Sequence, residues 1–504
     1  MASSTHNASG QGPVSSSLLE SLPVELLRLI SHQFCHHCCR EPSIVMVNEA
    51  DHESTKALVA LCRTSRNLCC VAQPVLYHAP EIRKPGPFLR TIAVRRPDLA
   101  AEVRCLPRML PWANTGDPIR MRKEDARLVR RLAKGLEMFI PPDGRFRVDA
   151  PESLPLSRCD EALYMGVLIC SLPLLETLSL NVYEKIRIYF SNRGHYKLGR
   201  FHPELQTGSL AFPQLRTVVV NGKDLDSYFP WEIRGVVALL AAAPNLKELI
   251  LSRIAGLDPR MMHQDTLNLL STAIQSVTDV TMENFTLLSG NRPFPRERYE
   301  SIRELVRLCP NMKAFGLRAN PLWESSGFWV ASGKIHRLSP TQVLDALTPA
   351  RQSLESLTLR LSRLRIPASD LQAYWQPLLS QFSALTTLVL DEQAFCRHWL
   401  PLKKSGRKQD EATCITTFLP QTVSLLGIRL HHHFHAYSDI VHLGDQVVAG
   451  HFKSLRRVET EYLYDGREDK ADEVAGEVEA YRTGLRRAFE GSGVLVSADA
   501  VWRD

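Results

Sequence analysis

The feature that most constrains this chain is a spacing that returns nine times: an apolar residue, two others, an apolar residue, one other, an apolar residue. It reads Leu175, Leu178, Leu180; Leu215, Val218, Val220; Leu246, Leu249, Leu251; Val277, Val280, Met282; and Met312, Phe315, Leu317. It continues through Leu354, Leu357, Leu359; Leu385, Leu388, Leu390; Val423, Leu426, Ile428; and Leu455, Val458, with Thr460 in the third place. The last two positions of each copy alternate as side chains of an extended chain do, so they share one face of a short strand. Between copies lie stretches of helical spacing, such as Ile302, Leu305, Val306 and Cys309, or Leu371, Trp375, Leu378 and Phe382. Prolines at 173, 213, 244, 310 and 420 stand just ahead of a copy and end the preceding helix. A single strand-plus-helix unit cannot cover its own apolar face, so neighbours must stack into a parallel sheet with helices on one side.

This pattern resembles leucine-rich repeats. The step between second positions of successive copies runs from 31 to 42 residues, beyond the usual roughly 20 to 29, so the match is to an irregular version that contains helices. The resemblance implies an α/β fold over residues 175–504: a curved solenoid of parallel strands with helices on the convex side. The charge-alternating helical stretch from Ala471 to Phe489, ahead of GVLVS, is expected to close it as a cap. Residues 81–174 are expected to link and cap the array at its other end. There RPDLAAEVRCL, with Leu99, Val103 and Leu106, reads as a first strand-forming or capping unit, and Leu128 to Phe139 as a basic amphipathic helix.

Ahead of the repeats, residues 1–17 are Ser-rich and polar and are expected to be disordered, while residues 18–80 carry helix signals. Pro23 in the first turn of a helix needs no amide bond, and Glu25 complements the positive helix end. LPVELLRLI then sets Leu22, Leu26 and Ile30 four residues apart on one helical face. A second helix is signalled by Ser54 and Thr55 as caps, with Leu58, Leu61 and Cys62 on its apolar side. A third follows Ser65 through Leu68, Val71 and Ala72 until Pro74 interrupts the amide ladder before Val75-Leu76-Tyr77.

LPVELLRLI, LVALCRTSRNL and VAQPVLYH, in that order, resemble the three-helix F-box in the form typical of filamentous fungi. The chain departs from that pattern in the long segment from His32 to Glu53 and in lacking an aromatic residue after Arg63. The resemblance implies a non-catalytic substrate-recognition subunit of an SCF (cullin-RING) ubiquitin ligase. It assigns Leu22, Pro23, Leu26, Ile30, Leu58 and Leu61 to the Skp-type adaptor interface or the small core beneath it, and leaves the solenoid to hold a protein substrate. The alternative is a scaffold or protein-interaction solenoid whose degenerate F-box engages no ligase.

Composition narrows the rest. Apolar residues at 44% and charged residues at 23% fit a folded chain, and no eighteen apolar residues run together, so no membrane partner is expected. With no basic segment leading into an apolar run at the start, the protein is expected to be intracellular, cytoplasmic or nuclear. Its twelve cysteines are then expected to be reduced thiols. The net charge of +7 is mild for this length, and a nucleic-acid partner is not expected.

If the strands align, the position after each motif forms a column: Asn181, Asn221, Ser252, Glu283, Arg318, Arg360, Asp391, Arg429, Glu461. Parallel strands set such residues roughly 4.8 Å apart, giving a mixed-sign stripe. Glu283, Arg318, Arg360, Asp391, Arg429 and Glu461 are therefore the candidate substrate contacts; the competing reading is a ladder whose members pair with one another.

No cofactor is expected. Cys35-His36-His37-Cys38-Cys39 has a C-x-x-C spacing suited to zinc, but the sequence offers no second ligand pair except Cys62, Cys69 and Cys70, already assigned to helices. The segment is accordingly read as a helix end and loop. His431, His432, His433 and His435 alternate in direction along an extended chain and cannot all reach one ion. KKSGRK, 403–408, reads as a solvated basic loop. There is no P-loop, H-E-x-x-H, G-x-S-x-G or dinucleotide fingerprint, and no catalytic residue is assigned.

Overall fold

Each apolar motif begins in a turn and ends in a strand. In a computed structural model of the chain, the first apolar residue of every copy sits in the turn, at most 2% exposed, and in most copies its amide donates to the carbonyl three residues back, as Leu246 does to Ala243 at 3.1 Å. The structure describes residues 18–39, 49–80, 82, 85–106, 122–136, 158–182, 211–222, 234–252, 264–283, 296–318, 340–360, 378–395, 414–430, 436–464 and 471–502.

Eleven strands form one sheet in the order of the chain, every neighbouring pair parallel. They are β1 (Cys105–Leu106), β2 (Thr177–Val182), β3 (Thr217–Gly222), β4 (Glu248–Ser252), β5 (Asp279–Glu283), β6 (Ala314–Arg318), β7 (Ser356–Arg360), β8 (Thr387–Asp391), β9 (Leu425–Leu430), β10 (Arg457–Tyr464) and β11 (Leu495–Trp502). Parallel neighbours in strict sequence order, with helices described in most of the connections between them, make a solenoid-like arrangement. The nine copies of the motif supply β2 to β10. β1 comes from the RPDLAAEVRCL unit and β11 from GVLVS, so the final strand extends the sheet itself behind the helix Ala471–Ala488.

Register carries the motif across the sheet. The second positions Leu178, Val218, Leu249, Val280, Phe315, Leu357, Leu388, Leu426 and Val458 pair in one row, each 2% exposed or less. The third positions make a second buried row, ending in Thr460, whose hydroxyl donates to the Ser497 carbonyl at 3.2 Å and so tolerates the site. Both rows share one core with the intervening helices, including Val167, Leu168 and Ile169 of Arg158–Cys170 and Ile302, Leu305 and Val306 of Arg296–Leu308.

One backbone device recurs at the entrance of each strand from β1 to β10: a carbonyl of the preceding unit accepts two consecutive amides of the next. Arg104 accepts from Glu176 and Thr177, Glu176 from Arg216 and Thr217, Arg216 from Lys247 and Glu248, and the series runs on to Ser424, which accepts from Arg456 and Arg457. It begins one step before the first strand, where the His78 carbonyl accepts from Arg104 at 3.0 Å and Cys105 at 2.8 Å.

The front of the chain folds as four helices: α1 (Val24–Gln33), α2 (His36–Cys39), α3 (Glu49–Thr64) and α4 (Arg66–Leu76). Three details differ from expectation. α3 starts at Glu49, so Ser54 and Thr55 lie inside it instead of capping it. α4 runs through Pro74 to Leu76, because a proline in the last turn forfeits only its own amide bond while the Tyr77 amide still reaches Gln73. Leu22 precedes α1, which begins only after Pro23, and so does not share its face. Ser65 does cap α4, its side chain accepting from the Leu68 amide at 3.3 Å. The basic helix expected at Leu128–Phe139 runs instead over Lys123–Gly135. It is docked by an ion pair of buried Asp125 with Arg90, and Gly86 stands so close that an added Cβ would meet the Asp125 carboxylate at 2.5 Å.

Leu388 lies in the middle of the buried row, fully enclosed. Leu388→Ala should lower stability by about 2–5 kcal/mol, read as a lower urea midpoint in equilibrium unfolding followed by circular dichroism.

Candidate functional site

The first candidate surface is the outer face of α1. Leu27 turns inward and forms a small cluster with Leu68 and Val71, against which Leu19, Leu22 and Leu61 pack. Leu58 lies in a neighbouring cluster with Cys35, Ala72 and Val75, and Leu61 touches both. With these inward, α1 presents Val24 (45% exposed), Leu26 (45%), Leu29 (58%) and Ile30 (37%), and Leu18 just ahead is 90% exposed. Among the described residues the other exposed large apolar side chains, Val94, Val448 and Leu495, are scattered along the chain, whereas these five belong to thirteen consecutive residues. Of the six residues assigned to a docking surface, Pro23, Leu26 and Ile30 are therefore outside, Leu58 is core, and Leu22 and Leu61 are half-buried beneath. Leu29, three residues after Leu26, belongs to the same patch, whereas Val24 is exposed on the Leu27 side of the helix. The four-residue spacing used to find the face passed over Leu29, although it is apolar in the same segment.

The second candidate is the charged column. Register places Ser252 beside Glu283, Glu283 beside Arg318, Arg318 beside Arg360, Asp391 beside Arg429 and Arg429 beside Glu461. The side chains do pair: Arg318 Nη1 lies 3.0 Å from Glu283 Oε1, Arg429 Nε 2.6 Å from Glu461 Oε2, and Arg360 Nη2 3.2 Å from Glu461 Oε1. The last pair joins β7 to β10. Strands three steps apart are separated by roughly 14 Å, so both side chains lie along the column.

Their environment is not that of a solvated ladder. Asp391 is fully buried, and the guanidinium groups of Arg318, Arg360 and Arg429 are each less than a third exposed. Burial, reinforced by Arg429, pushes the Arg360 guanidinium down from its ordinary value. Burial raises the Glu283 carboxyl despite the pull of Arg318. For Glu461 burial also acts upward, but Arg360 and Arg429 together outweigh it and hold the carboxyl below its ordinary value of 4.5. A depressed carboxyl contributes stability above the unfolded value, and that contribution is lost as pH falls through the folded one. Glu461→Gln should therefore cost about 1–2 kcal/mol at neutral pH, a range set by charged hydrogen bonds reduced for partial exposure. The gap between wild type and variant, read from thermal or urea unfolding, should close as the pH falls below 4.5 and through the lower folded value.

The third candidate is a cluster that sequence spacing brought only halfway together. α1 ends at Gln33 and α2 begins at His36, and this corner carries Cys35, His37 and Cys38; His78, just past α4, completes the group. His78 Nδ1 lies 3.4 Å from Cys38 Sγ and 3.8 Å from Cys35 Sγ, while His37 Nδ1 is 3.8 Å from Cys38 Sγ. The opposite ring nitrogens face carboxylates, His78 Nε2 at 3.7 Å from Glu102 and His37 Nε2 at 3.4 Å from Glu176. Burial, helped by His37, His32 and Arg104, lowers the His78 imidazole to about 4, and burial beside Cys35 raises the Cys38 thiol to about 12. The second pair of ligands that the sequence lacked is thus His37 from within the segment and His78 from 40 positions beyond Cys38, which the Pro-x-Leu-Tyr-His finish of α4 carries back to the corner. Cys39 instead donates to the carbonyls of His32 and Gln33. Those cysteines whose side chains are described are all free thiols.

His431, His432, His433, His435 and the basic 403–408 segment lie outside the described residues, as do Leu371 and Trp375. Among the described residues no helix is long and apolar enough to cross a membrane. No protein-family model matches the chain, and no curated protein is significantly similar to it.

Proposed function

We propose that the front helices are an F-box and that the protein is a non-catalytic substrate-recognition subunit of an SCF ubiquitin ligase, its solenoid holding the client. The observation that carries this reading is the apolar patch of Leu26, Leu29 and Ile30 on a helix whose opposite side is already anchored by Leu27 on Leu68 and Val71. A contiguous exposed apolar patch marks a surface that another molecule covers. It sits on the segment whose LPVELLRLI start and Pro-x-Leu-Tyr finish resemble the F-box, and a Skp-type adaptor is the partner that resemblance supplies. Ubiquitin chemistry would belong to other subunits, this chain contributing selection and proximity.

The client would meet the column from Glu283 to Glu461. Mixed-sign side chains held half-buried by mutual pairing form a preorganised surface, which reduces the ordering cost of binding and selects partners by charge pattern. A stack of parallel strands is in general a binding scaffold.

Pulldown on a purified Skp-type adaptor tests the docking half. The intact chain should be retained, and Leu26→Asp, which changes an exposed position and should leave the circular dichroism spectrum unaltered, should be lost. Failure of the intact chain to bind would favour a scaffold without ligase function. The client half is tested by proteins co-purifying with the chain. The double swap Glu283→Arg with Arg318→Glu keeps opposite charges facing each other, so it should preserve stability better than Arg318→Glu alone while still losing the client. Full client capture by the double variant would remove the column from the interface.

A further inference from the structure

Cys35, His37, Cys38 and His78 each present one ligand atom, and the four atoms lie within 4.8 Å of one another. We propose that they bind a Zn2+ ion in a closed, tetrahedral Cys2His2 site that ties the α1–α2 corner to the first units of the sheet. This inference does not depend on α1 docking an adaptor.

Three observations carry it. The donor set is two sulfurs and two imidazoles, the combination that tetrahedral structural zinc takes. The spacing fits: Zn–S near 2.3 Å and Zn–N near 2.0–2.1 Å put tetrahedral ligand atoms roughly 3.3–3.8 Å apart, and three of the four sulfur–nitrogen distances here are 3.4, 3.8 and 3.8 Å. Both histidines turn Nδ1 toward sulfur and Nε2 toward a carboxylate, Glu102 or Glu176, the outer arrangement that fixes the tautomer and orientation of metal-bound imidazoles.

A hydrogen-bonded cluster of thiols and imidazoles accounts for less. A neutral imidazole nitrogen has one lone pair and accepts one S–H, yet His78 Nδ1 faces two sulfurs at once. A single cation satisfies both, and the two thiolates balance its charge. The placement explains what such an ion would do. Three ligands come from the corner between α1 and α2, and the fourth is the residue whose carbonyl begins the sheet's hydrogen-bond series. Glu176, behind His37, belongs to the turn into β2 and also pairs with Arg104 at 3.3 Å. The ion would hold the front helices at a set angle to the repeats.

The test uses the full chain, reduced and stripped with a chelator. Titrated with Zn2+ in competition with a chromophoric chelator, it should take up one ion. Co2+ in its place should give the intense visible bands of a tetrahedral site and a thiolate charge-transfer band. Zn2+ should also slow alkylation of Cys35 and Cys38 while exposed Cys39 and Cys70 stay reactive. Cys38→Ser alters an exposed residue and should abolish the thiolate band and the zinc-dependent rise in thermal midpoint. Glu102→Gln should weaken zinc binding by about 10–100-fold, and Cys39→Ser should change nothing. Should Cys38→Ser fail to fold, His37→Ala gives the same readout. A weak octahedral cobalt spectrum, or a Cys39→Ser variant that loses the ion as Cys38→Ser does, would overturn the site.

Discussion

The fork in the hydrogen-bond ladder, one carbonyl taking two successive amides at the entrance of each strand from β1 to β10, is the constraint on which the rest of the molecule depends. It leaves neither of the first two amides of a strand without a partner, which a buried backbone requires. It also sets the register, because the residue that donates the second bond is the first of its strand. Once register is set, the second and third motif positions must fall into rows, and both rows are closed to water from β2 to β10. A slip of one residue would put Glu248 where Leu249 now lies in one direction, or Arg360 where Leu359 lies in the other.

The same ladder explains how the front helices are joined to the sheet. Because the His78 carbonyl serves Arg104 and Cys105 as the Arg104 carbonyl serves Glu176 and Thr177, the end of α4 takes the place of a strand before β1. The helical front is thus the first unit of the stack as well as a separate small core built on Leu27, Leu58 and Leu68. Its ring nitrogens, the α1–α2 thiols and two carboxylates of the neighbouring units converge at this junction. Such a joint fixes the direction in which the exposed face of α1 points relative to the charged column.

The column shows why a surface of this kind need not be freely solvated. Acids and bases lie one strand apart along the column, and Arg360 reaches past Asp391 and Arg429 to share Glu461 with Arg429. Burial opposes ionisation of Arg360 and Glu283, and the pairs around Glu461 offset that cost locally. The competing readings from sequence, a pairing ladder and a contact surface, are compatible: the ions pair with one another, and the pairing holds them in place.

The local pattern of this protein is written in its sequence. The alternation of Leu178 and Leu180, and of eight further pairs, requires nothing but the two-residue period of a strand, and stacking follows because one unit cannot cover its own apolar face. Ser65 as a cap and Leu68, Val71 and Ala72 as a buried face were legible for the same reason, since hydrogen bonds and side-chain spacing within one helix are local. What the sequence could not decide is what meets across distance. That Leu22 falls outside α1, that Leu58 is core while Leu26 is surface, that Arg360 selects Glu461, and that His78 returns to Cys35 and Cys38 all depend on where separate elements pack. Spacing along a chain determines which face a residue occupies; only tertiary structure determines what the face looks at.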